Sequence, residues 1–411
     1  MLSLDEALAR LRAATSPLAE TEAVSTFDAL GRVLARAVRS RLDVPPHDNS
    51  SMDGYAMRAA DVPSRGGVLP VLQRVAAGQV GVRLEAGSAA RIFTGAPIPE
   101  GADAVVMQEH CEPTTMLDGR PAVRVKTPPE AGQWIRRRGE DVRADAVVLE
   151  AGTRLTPQAL GLAASVGAAT LDVVRRPRVA LFSTGDELVM PGEPLKPGAI
   201  YNSNRYTLRA LLQQAGCEVG DLGIVPDRLE ATREALRRAA RGHDLILTSG
   251  GVSVGEEDHL RPAVQAEGAI DLWQIAIKPG KPLAFGHVRR GVDNEGGPAS
   301  ALFIGLPGNP VSSFVTFLVA VRPVLQALQG MPATEPAALA LPAGFDWSRP
   351  DARREFLRAR RGADGLLELF PNQSSGVLTS AVWAEGLIDN PPGHAIARGD
   401  LVRFLPFSDR P

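Results

Sequence analysis

The sequence predicts a multidomain α/β protein. Its centre is a doubly wound, mostly parallel sheet domain, joined to a β-rich insert domain, an elongated α+β domain and a small C-terminal β-barrel. Three observations predict it. The chain has 411 residues, enough for about three ordinary domains. Between Arg178 and Leu328, apolar runs of strand length alternate with helical periods, the signature of a parallel sheet with crossover helices. On either side of that block, short strand-like runs are broken by glycine and proline, which marks all-β units.

Taken in order, MLSLDEALARL is an amphipathic helix capped at Ser3, with Glu6 three residues on as a capping box requires. The first forty residues read as one or two helices that lead into an extended stretch, Leu42-Asp43-Val44-Pro45-Pro46. From Val68 to Val148 the runs VLPVLQRVAAG, SAARIFTG, DAVVMQEH and AVRVKT give short strands. Residues 141–172 give a strand, a helix from about Pro157 and another strand, which pack back onto the N-terminal helices. The expected partition is therefore 1–44 with 141–172 as the elongated domain, 45–140 as the insert, 173–332 as the α/β domain and 333–411 as the barrel.

Within the α/β block, RVALFST is a continuous apolar run, as expected of a strand covered on both faces. A helix over Asn204–Gln214 is closed by Gly216, a C′ glycine. The strand EVGDLGIV, a helix over Leu229–Ala240, the strand DLILTS and a helix from near Glu257 follow, then the strands LWQIAIK and ALFIGL. Pro310 opens a last helix to about Leu328, proline being tolerated in a first turn. Beyond Gly330-Met331-Pro332, REFLRARR, a hairpin turn at Ala363-Asp364-Gly365, LLELF and DLVRFLPF predict a small barrel or sandwich.

Formal net charge is −2, so no global field draws in nucleic acid or an acidic membrane. An anionic ligand has to be met by locally placed Lys, Arg and backbone N–H groups. The two cysteines, Cys111 and Cys217, form no metal pattern and fit a reducing compartment. The N-terminus lacks the basic and apolar regions of a signal peptide, and no uninterrupted run of about 18 apolar residues occurs. A cytoplasmic protein without nucleic-acid or membrane partners is the expectation.

Ligands of parallel α/β sheets sit where the C-terminal ends of the strands meet their loops. Four such loops fall on one edge here: Gly185-Asp186-Glu187, Pro226-Asp227, Gly250 to Asp258, and Leu306-Pro307-Gly308-Asn309-Pro310. Gly250, Gly251 and Gly255, with Ser253 between them, let backbone amides approach an anion. The helix that follows turns its positive end to the same place. Glu187, Asp227 and Asp258 bring three carboxylates from separate strand ends. Beside a phosphate they call for a hard cation, and Mg²⁺ needs only one or two carboxylates plus phosphate oxygens and water. Lys278 and Lys281, in Ile277-Lys278-Pro279-Gly280-Lys281-Pro282, add the positive charge that the overall balance withholds. By composition alone Asp48–Ala56 is a turn-rich loop, and Thr94-Gly95-Ala96-Pro97 is a turn after a strand. Arg136–Asp141 is either a self-compensating solvated run or an oxyanion contact.

The segments DNSSMDGYAMR, RIFTGAPIPEGADAVVMQE, RRRGED, ALFSTGDEL, LTSGGVSVGEED, IKPGKP and LPGNPVSS resemble, in this order and over essentially the whole chain, the signatures of MoeA-type molybdopterin molybdenumtransferases. The C-terminal domain of gephyrin belongs to the same group. The resemblance implies an enzyme of molybdenum cofactor biosynthesis. It binds adenylylated molybdopterin and molybdate, inserts the metal into the dithiolene and hydrolyses the adenylate, giving AMP and molybdenum cofactor, with Mg²⁺ as the cation. It also implies a homodimer in which the insert of one subunit completes the cleft of the other. Molybdopterin adenylyltransferase and molybdoenzyme apoproteins are implied as partners.

Carried over by position, the resemblance makes Glu187, Asp258, Asp53, Thr94 and Asp141 catalytic and Glu187, Asp227 and Asp258 metal ligands. Gly250, Gly251, Ser253, Gly255, Lys278, Lys281, Pro307 and Asn309 bind substrate. Arg358 and Ser375 match positions that help to hold molybdate. Gln274 departs from the pattern, since many bacterial members carry a lysine there.

The chemistry is coherent: metal-assisted pyrophosphate cleavage needs phosphate charge neutralised more than it needs a protein nucleophile, and the dithiolene brings its own sulfurs. The six scattered histidines make no catalytic triad. A molybdopterin adenylyltransferase would need little more than residues 172–332, and a gephyrin-like scaffold would need an added domain and a long disordered linker.

Overall fold

The computed structural model describes residues 1–63, 67–252, 259–290 and 300–407. Helix α1 (Leu4–Ala13) starts in a full capping box. The Glu6 N–H donates to Ser3 Oγ at 3.2 Å and the Ser3 N–H to Glu6 Oε2 at 2.9 Å. Leu4, Ala7 and Leu11 recur on one face, and that face is buried, as the helical period requires. They pack with Leu208, Phe317 and Leu325 in the core of the large sheet, not against residues 141–172. The Ala276 N–H donates to the Leu2 carbonyl at 2.8 Å and Arg354 pairs with Asp5 at 3.1 Å.

No second α-helix follows α1 in the first forty residues, only a single 3₁₀ turn at Thr26–Asp28. Thr21–Ser25 is a strand, antiparallel to Thr170–Val174, and Val38–Arg39 pairs with Val147–Leu149. Tertiary pairing overrides local propensity here, and it draws the residues on either side of the insert together. Helix α2 (Pro157–Ser165) is capped by Thr156, whose Oγ1 accepts from the Ala159 N–H. Its Ala159 and Ala163 pack on Leu34, Leu155 and Val173.

Six short strands form the sheet of the insert, in the order Ala104–Met107, Gly54–Met57, Ala89–Ile92, Gly67–Val75, Pro121–Val125, Cys111–Thr115. Alternation of side chains sends Tyr55 and Met57 into one apolar cluster and Ala56, Ala90 and Ile92 into another, so both faces are covered. Gly54 is obligatory: a Cβ there would lie 1.9 Å from the Val106 carbonyl oxygen.

The large sheet has the order Glu218–Val225, Arg178–Thr184, Leu245–Ser249, Ser300–Leu306, Pro282–Arg289, Gly268–Gln274. The first four strands are mutually parallel, and Pro282–Arg289 runs antiparallel to its neighbours on both sides. Thr184 pairs with Val225, and Ser249 pairs with both Ser183 and Leu306. The C-terminal ends of the four parallel strands are therefore level. Helices α3 (Ser203–Gln214), α4 (Leu229–Ala240) and α5 (Leu260–Glu267) divide between the faces: α3 packs with α1 on one, α4 and α5 on the other.

Strand Pro282–Arg289 was not anticipated, and LWQIAIK is not one strand. The chain leaves the large sheet at Gln274, and Ile277–Lys278 pairs in parallel with Arg354–Glu355 of the last sheet. The final helix is also interrupted. Helix α6 (Pro310–Thr316) runs through a π-helical turn at Phe317–Val321 into α7 (Arg322–Leu328). Pro323 lacks the N–H that an unbroken helix would use, and the widened turn accommodates the defect. By length and composition alone, Pro310–Leu328 would suffice to cross a membrane, but most of it is buried, with Val315, Phe317, Val321 and Leu325 in the core.

In the C-terminal part, Leu339–Pro342, Leu401–Pro406, Gly386–Asn390, Arg354–Arg361 and Leu367–Leu369 pair successively. A bridge from Ala343 to Leu367, and a hydrogen bond from the Gly344 N–H to the Leu367 carbonyl at 2.8 Å, join the two ends. The strands thus make a closed circuit around Leu357, Ala359, Ile388 and Phe404. Helix α8 (Leu378–Trp383) lies beside it. Between the elongated part and the large sheet, the Arg175 fork meets Asp244 at 2.7 and 2.9 Å, and the Arg178 N–H donates to the same carboxylate at 2.8 Å.

Candidate active site

The level strand ends bring the sequence-predicted loops to one edge, where they are tied to one another. Gly185 has φ 141°, and a Cβ there would meet Glu187 Oε2 at 2.4 Å, so the Glu187 carboxylate folds back over the glycine. Asp186 Oδ1 accepts from the Asp227 N–H at 3.1 Å, which links the first two acidic loops. The Gly250 N–H donates to the Leu306 carbonyl at 3.1 Å, and Asn204 Nδ2 donates to the Gly308 carbonyl at 2.7 Å. Ser313 Oγ donates to the Pro307 carbonyl, and the Ser313 N–H to the Asn309 carbonyl at 2.9 Å.

Three buried polar atoms at this edge have no hydrogen-bond partner among the described residues: Thr184 Oγ1, Thr248 Oγ1 and Asn202 Nδ2. Buried polar atoms are normally paired, so these three are open to a further polar partner. Asn202 and Asn204 escaped the sequence reading because residues of their type at a helix start read as caps, and Asn202 does cap α3.

Gly250 and Gly251 both have positive φ, 90° and 65°. A Cβ on Gly250 would sit 2.5 Å from the Thr184 carbonyl oxygen. We expect Gly250→Ala to cost about 1–3 kcal/mol of stability, read from denaturant unfolding. An unchanged midpoint would show that the loop yields easily.

Ser253, Gly255 and Asp258 lie outside the described residues. Among the described residues no group of three or more His, Cys, Asp or Glu is arranged to hold a metal. Glu187 and Asp227 remain, on loops joined by a hydrogen bond, and two carboxylates with phosphate oxygens and water meet the needs of Mg²⁺.

A second group surrounds a cavity of about 260 Å³ lined by Lys278, Pro279, Trp347, Glu355, Leu357, Arg358, Gln373 and Ser374. Arg358 is 1% exposed and is the bulkiest fully buried side chain among the described residues. Its guanidinium donates to Ser380 Oγ at 3.2 Å and to the carbonyls of Phe356 and Ser374 at 3.1 and 3.4 Å. Among the described residues no carboxylate pairs with it, and burial pushes its pKa down to about 10.

Lys278 corrects the sequence reading. Its ammonium is not a spare positive charge: it pairs with Glu355 at 3.2 Å and Asp351 at 3.3 Å. Glu355 is fully buried and also accepts from Trp347 Nε1 at 2.9 Å. A hydrogen bond from Arg353 holds the Asp351 carboxyl well below the usual carboxylate range. The uncompensated cation of this cavity is Arg358.

The Ser375 carbonyl accepts from the Val311 N–H at 3.0 Å, which brings the C-terminal part against the Pro307–Asn309 loop. Lys281 is exposed, and its carbonyl accepts from the Ile275 N–H at 3.1 Å. Gln274 pairs with Pro282 at the end of its strand.

The third group lies in the insert. Asp53 Oδ1 accepts from both the N–H and the Oγ1 of Thr94 at 2.8 Å, and these bonds hold its carboxyl below the ordinary value. Asp141 sits apart, its N–H donating to the Val44 carbonyl at 3.0 Å. The arginine run is compensated from outside its own sequence: Arg137 pairs with Asp48 at 2.7 Å and Arg138 with Asp43. The Asp53–Thr94 bonds stay within the insert. One chain therefore brings together the sheet-edge residues with the Lys278–Arg358–Ser375 group, and separately Asp53 with Thr94.

Comparison with known proteins gives three family matches: "MoeA N-terminal region (domain I and II)" over residues 2–167, "Probable molybdopterin binding domain" over 180–327, and "MoeA C-terminal region (domain IV)" over 340–407. A molybdopterin molybdenumtransferase of Haemophilus influenzae is 42% identical over 330 residues, covering 80% of this chain and 78% of that protein. A molybdopterin molybdenumtransferase of Nostoc sp. is 37% identical over 398 residues, covering 94% and 88%. The crystal structure of the molybdopterin biosynthesis MoeA protein from Pyrococcus horikoshii superposes with a TM-score of 0.83 at 28% identity, covering 99% of this chain and all of that one.

Proposed function

The chain belongs to the MoeA family of molybdopterin molybdenumtransferases, enzymes of molybdenum cofactor biosynthesis, and from that premise we propose how its groups of residues divide the work. The sheet edge takes the pyrophosphate of adenylylated molybdopterin. Gly250 and Gly251 present backbone amides without side-chain interference, Pro307 and Asn309 form the opposite wall, and the unpaired Thr184 and Asn202 atoms face a polar ligand. Glu187 and Asp227, with Asp258 from the following loop, hold Mg²⁺. Bound there, Mg²⁺ supplies charge neutralisation of the phosphate oxygens during adenylate hydrolysis.

The cavity beside it takes molybdate. Arg358 is the single observation that carries this assignment: a buried guanidinium without a counter-carboxylate is costly unless an anion visits it. Its planar fork suits a tetrahedral oxyanion. Lys278, fixed by Glu355 and Asp351, contributes a directed N–H donor more than net charge, and the Ser375 segment closes the cavity towards the sheet edge. Gln274, where many bacterial members carry lysine, leaves Arg358 a larger share of oxyanion binding.

Asp53 and Thr94 act from a second subunit, because their bonds within one chain stay inside the insert, and Asp141, bonded to Val44 beside the insert, acts with them. The proposed working unit is a cytoplasmic homodimer that receives its substrate from molybdopterin adenylyltransferase and passes the cofactor to molybdoenzyme apoproteins.

The test is molybdate-dependent AMP release from adenylylated molybdopterin by the purified protein. ATP-dependent adenylylation of molybdopterin without that release would place the chain one step earlier. For the cavity, Arg358→Met is expected to raise the KM for molybdate about 10- to 100-fold, with adenylylated molybdopterin still bound. Its folding stability should be unchanged or higher, since an apolar side chain of similar length replaces a buried charge. An unaltered molybdate KM would remove Arg358 from the oxyanion site.

A further inference from the structure

We infer that the insert carries an anion subsite of its own, formed by Arg74 and Arg91 around Phe93, which takes a phosphate group next to the Asp53–Thr94 pair. Arg74 and Arg91 are direct neighbours on parallel strands. Their guanidinium carbons lie 4.5 and 4.6 Å from the centroid of the Phe93 ring. Two like charges held on one ring repel each other, and the cation–π attraction of exposed arginines is weak.

Elsewhere in the insert arginines are neutralised locally: Arg120 by Asp118 at 2.6 Å, Arg137 by Asp48 at 2.7 Å. Arg74 and Arg91 have no such partner among the described residues. Arg91 is instead held rigid by neutral acceptors, the Gly54 carbonyl at 2.9 Å and Gln108 Oε1 at 2.7 Å. Asp53, whose charge Arg91 feels, commits its Oδ1 to both donors of Thr94. The result is a pre-organised pair of guanidinium forks, one fixed and one exposed, on either side of Phe93, the residue before Thr94. Paired forks of this kind fit the oxygens of a phosphate ester.

The identity of the ester as the adenylate half of the substrate rests on the proposed reaction; the anion site rests on the insert alone. The two can be separated. Binding of AMP is measured by calorimetry at low and high salt, and the KM for adenylylated molybdopterin by turnover, in wild type, Arg74→Gln, Arg74→Lys and the control Arg120→Gln. Arg74→Gln is expected to weaken AMP binding about tenfold and raise KM similarly, about 1.4 kcal/mol by the tenfold conversion. The loss should shrink at high salt, where exposed charges are screened. Arg74→Lys should recover part of it, and Arg120→Gln should match wild type.

If AMP affinity and KM are the same in Arg74→Gln as in wild type, the subsite is wrong and the proposed reaction stands. An equal loss in Arg120→Gln would also overturn it, as a general charge effect. If wild type shows no molybdate-dependent turnover but Arg74→Gln still loses AMP affinity, the proposed reaction fails and the subsite stands.

Discussion

In Glu187→Ala protein, molybdate-dependent AMP release should fall about 10²–10³-fold, the range seen when one preorganised electrostatic contact to a developing charge is removed. Folding stability should stay within about 0.5 kcal/mol of wild type, as for most exposed substitutions. Both halves follow from position. Glu187 is exposed at the end of a parallel strand, its carboxylate folded over Gly185, and the apolar core does not include it. What it supplies is charge beside Asp227, on the loop tied to its own through Asp186. Glu187→Gln keeps the shape and removes the charge, so it should be nearly as inactive as the alanine variant. Added Mg²⁺ should rescue it in part if the defect is weakened cation binding. Turnover equal to wild type in both variants would reject the sheet edge as the place of reaction.

The largest expected effect on stability lies away from the site. Asp244→Ala should cost about 3–5 kcal/mol, because removing one partner of a buried ion pair strands the other. Asp244 is 7% exposed. It accepts both arms of the Arg175 fork and the Arg178 N–H, and Arg290 stands 3.7 Å away. Burial alone would raise its pKa; the bonds from Arg175 and Arg178 outweigh that and hold it below 3.8. A carboxyl with a lowered folded-state pKa stabilises fully at pH above its unfolded value, and the contribution disappears as pH falls through the folded value. The wild type should therefore lose stability from this group only below about pH 4, and Asp244→Asn should flatten that acid limb. Urea midpoints between pH 3 and 7 measure it. Equal midpoints for Asp244→Ala and wild type at neutral pH would show that Arg175 finds other partners at no cost.

The parallel sheet was legible because each strand and helix there is long enough for its period to show: α4 runs over Leu229–Ala240 as its apolar spacing predicts. The sheet edge was legible for the same reason, since parallel strands must end level. What escaped depends on partners distant in sequence. Thr21–Ser25 is a strand only because Thr170–Val174 lies beside it. Pro282–Arg289 is hidden behind a Lys-Pro-Gly-Lys-Pro turn. Arg358 looks solvent-facing in REFLRARR, yet both faces of that strand are covered, one by the apolar core and the other by the segment around Gln373–Ser380. The neutralisation of Lys278 depends on Glu355, 77 residues away, and no local spacing foretells it.

Helix α1 has a consequence for biosynthesis on the ribosome. It precedes the insert in the chain, yet its apolar face is buried with residues that all follow the insert, Leu208, Phe317 and Leu325 among them, and its flanks are tied to Ala276 and Arg354. A nascent chain that has emerged only as far as the insert has nowhere to put Leu4, Ala7 and Leu11. Residues that leave the exit tunnel ahead of the insert are thus among the last to dock, and they remain open to chaperones and proteases until the α/β part has followed.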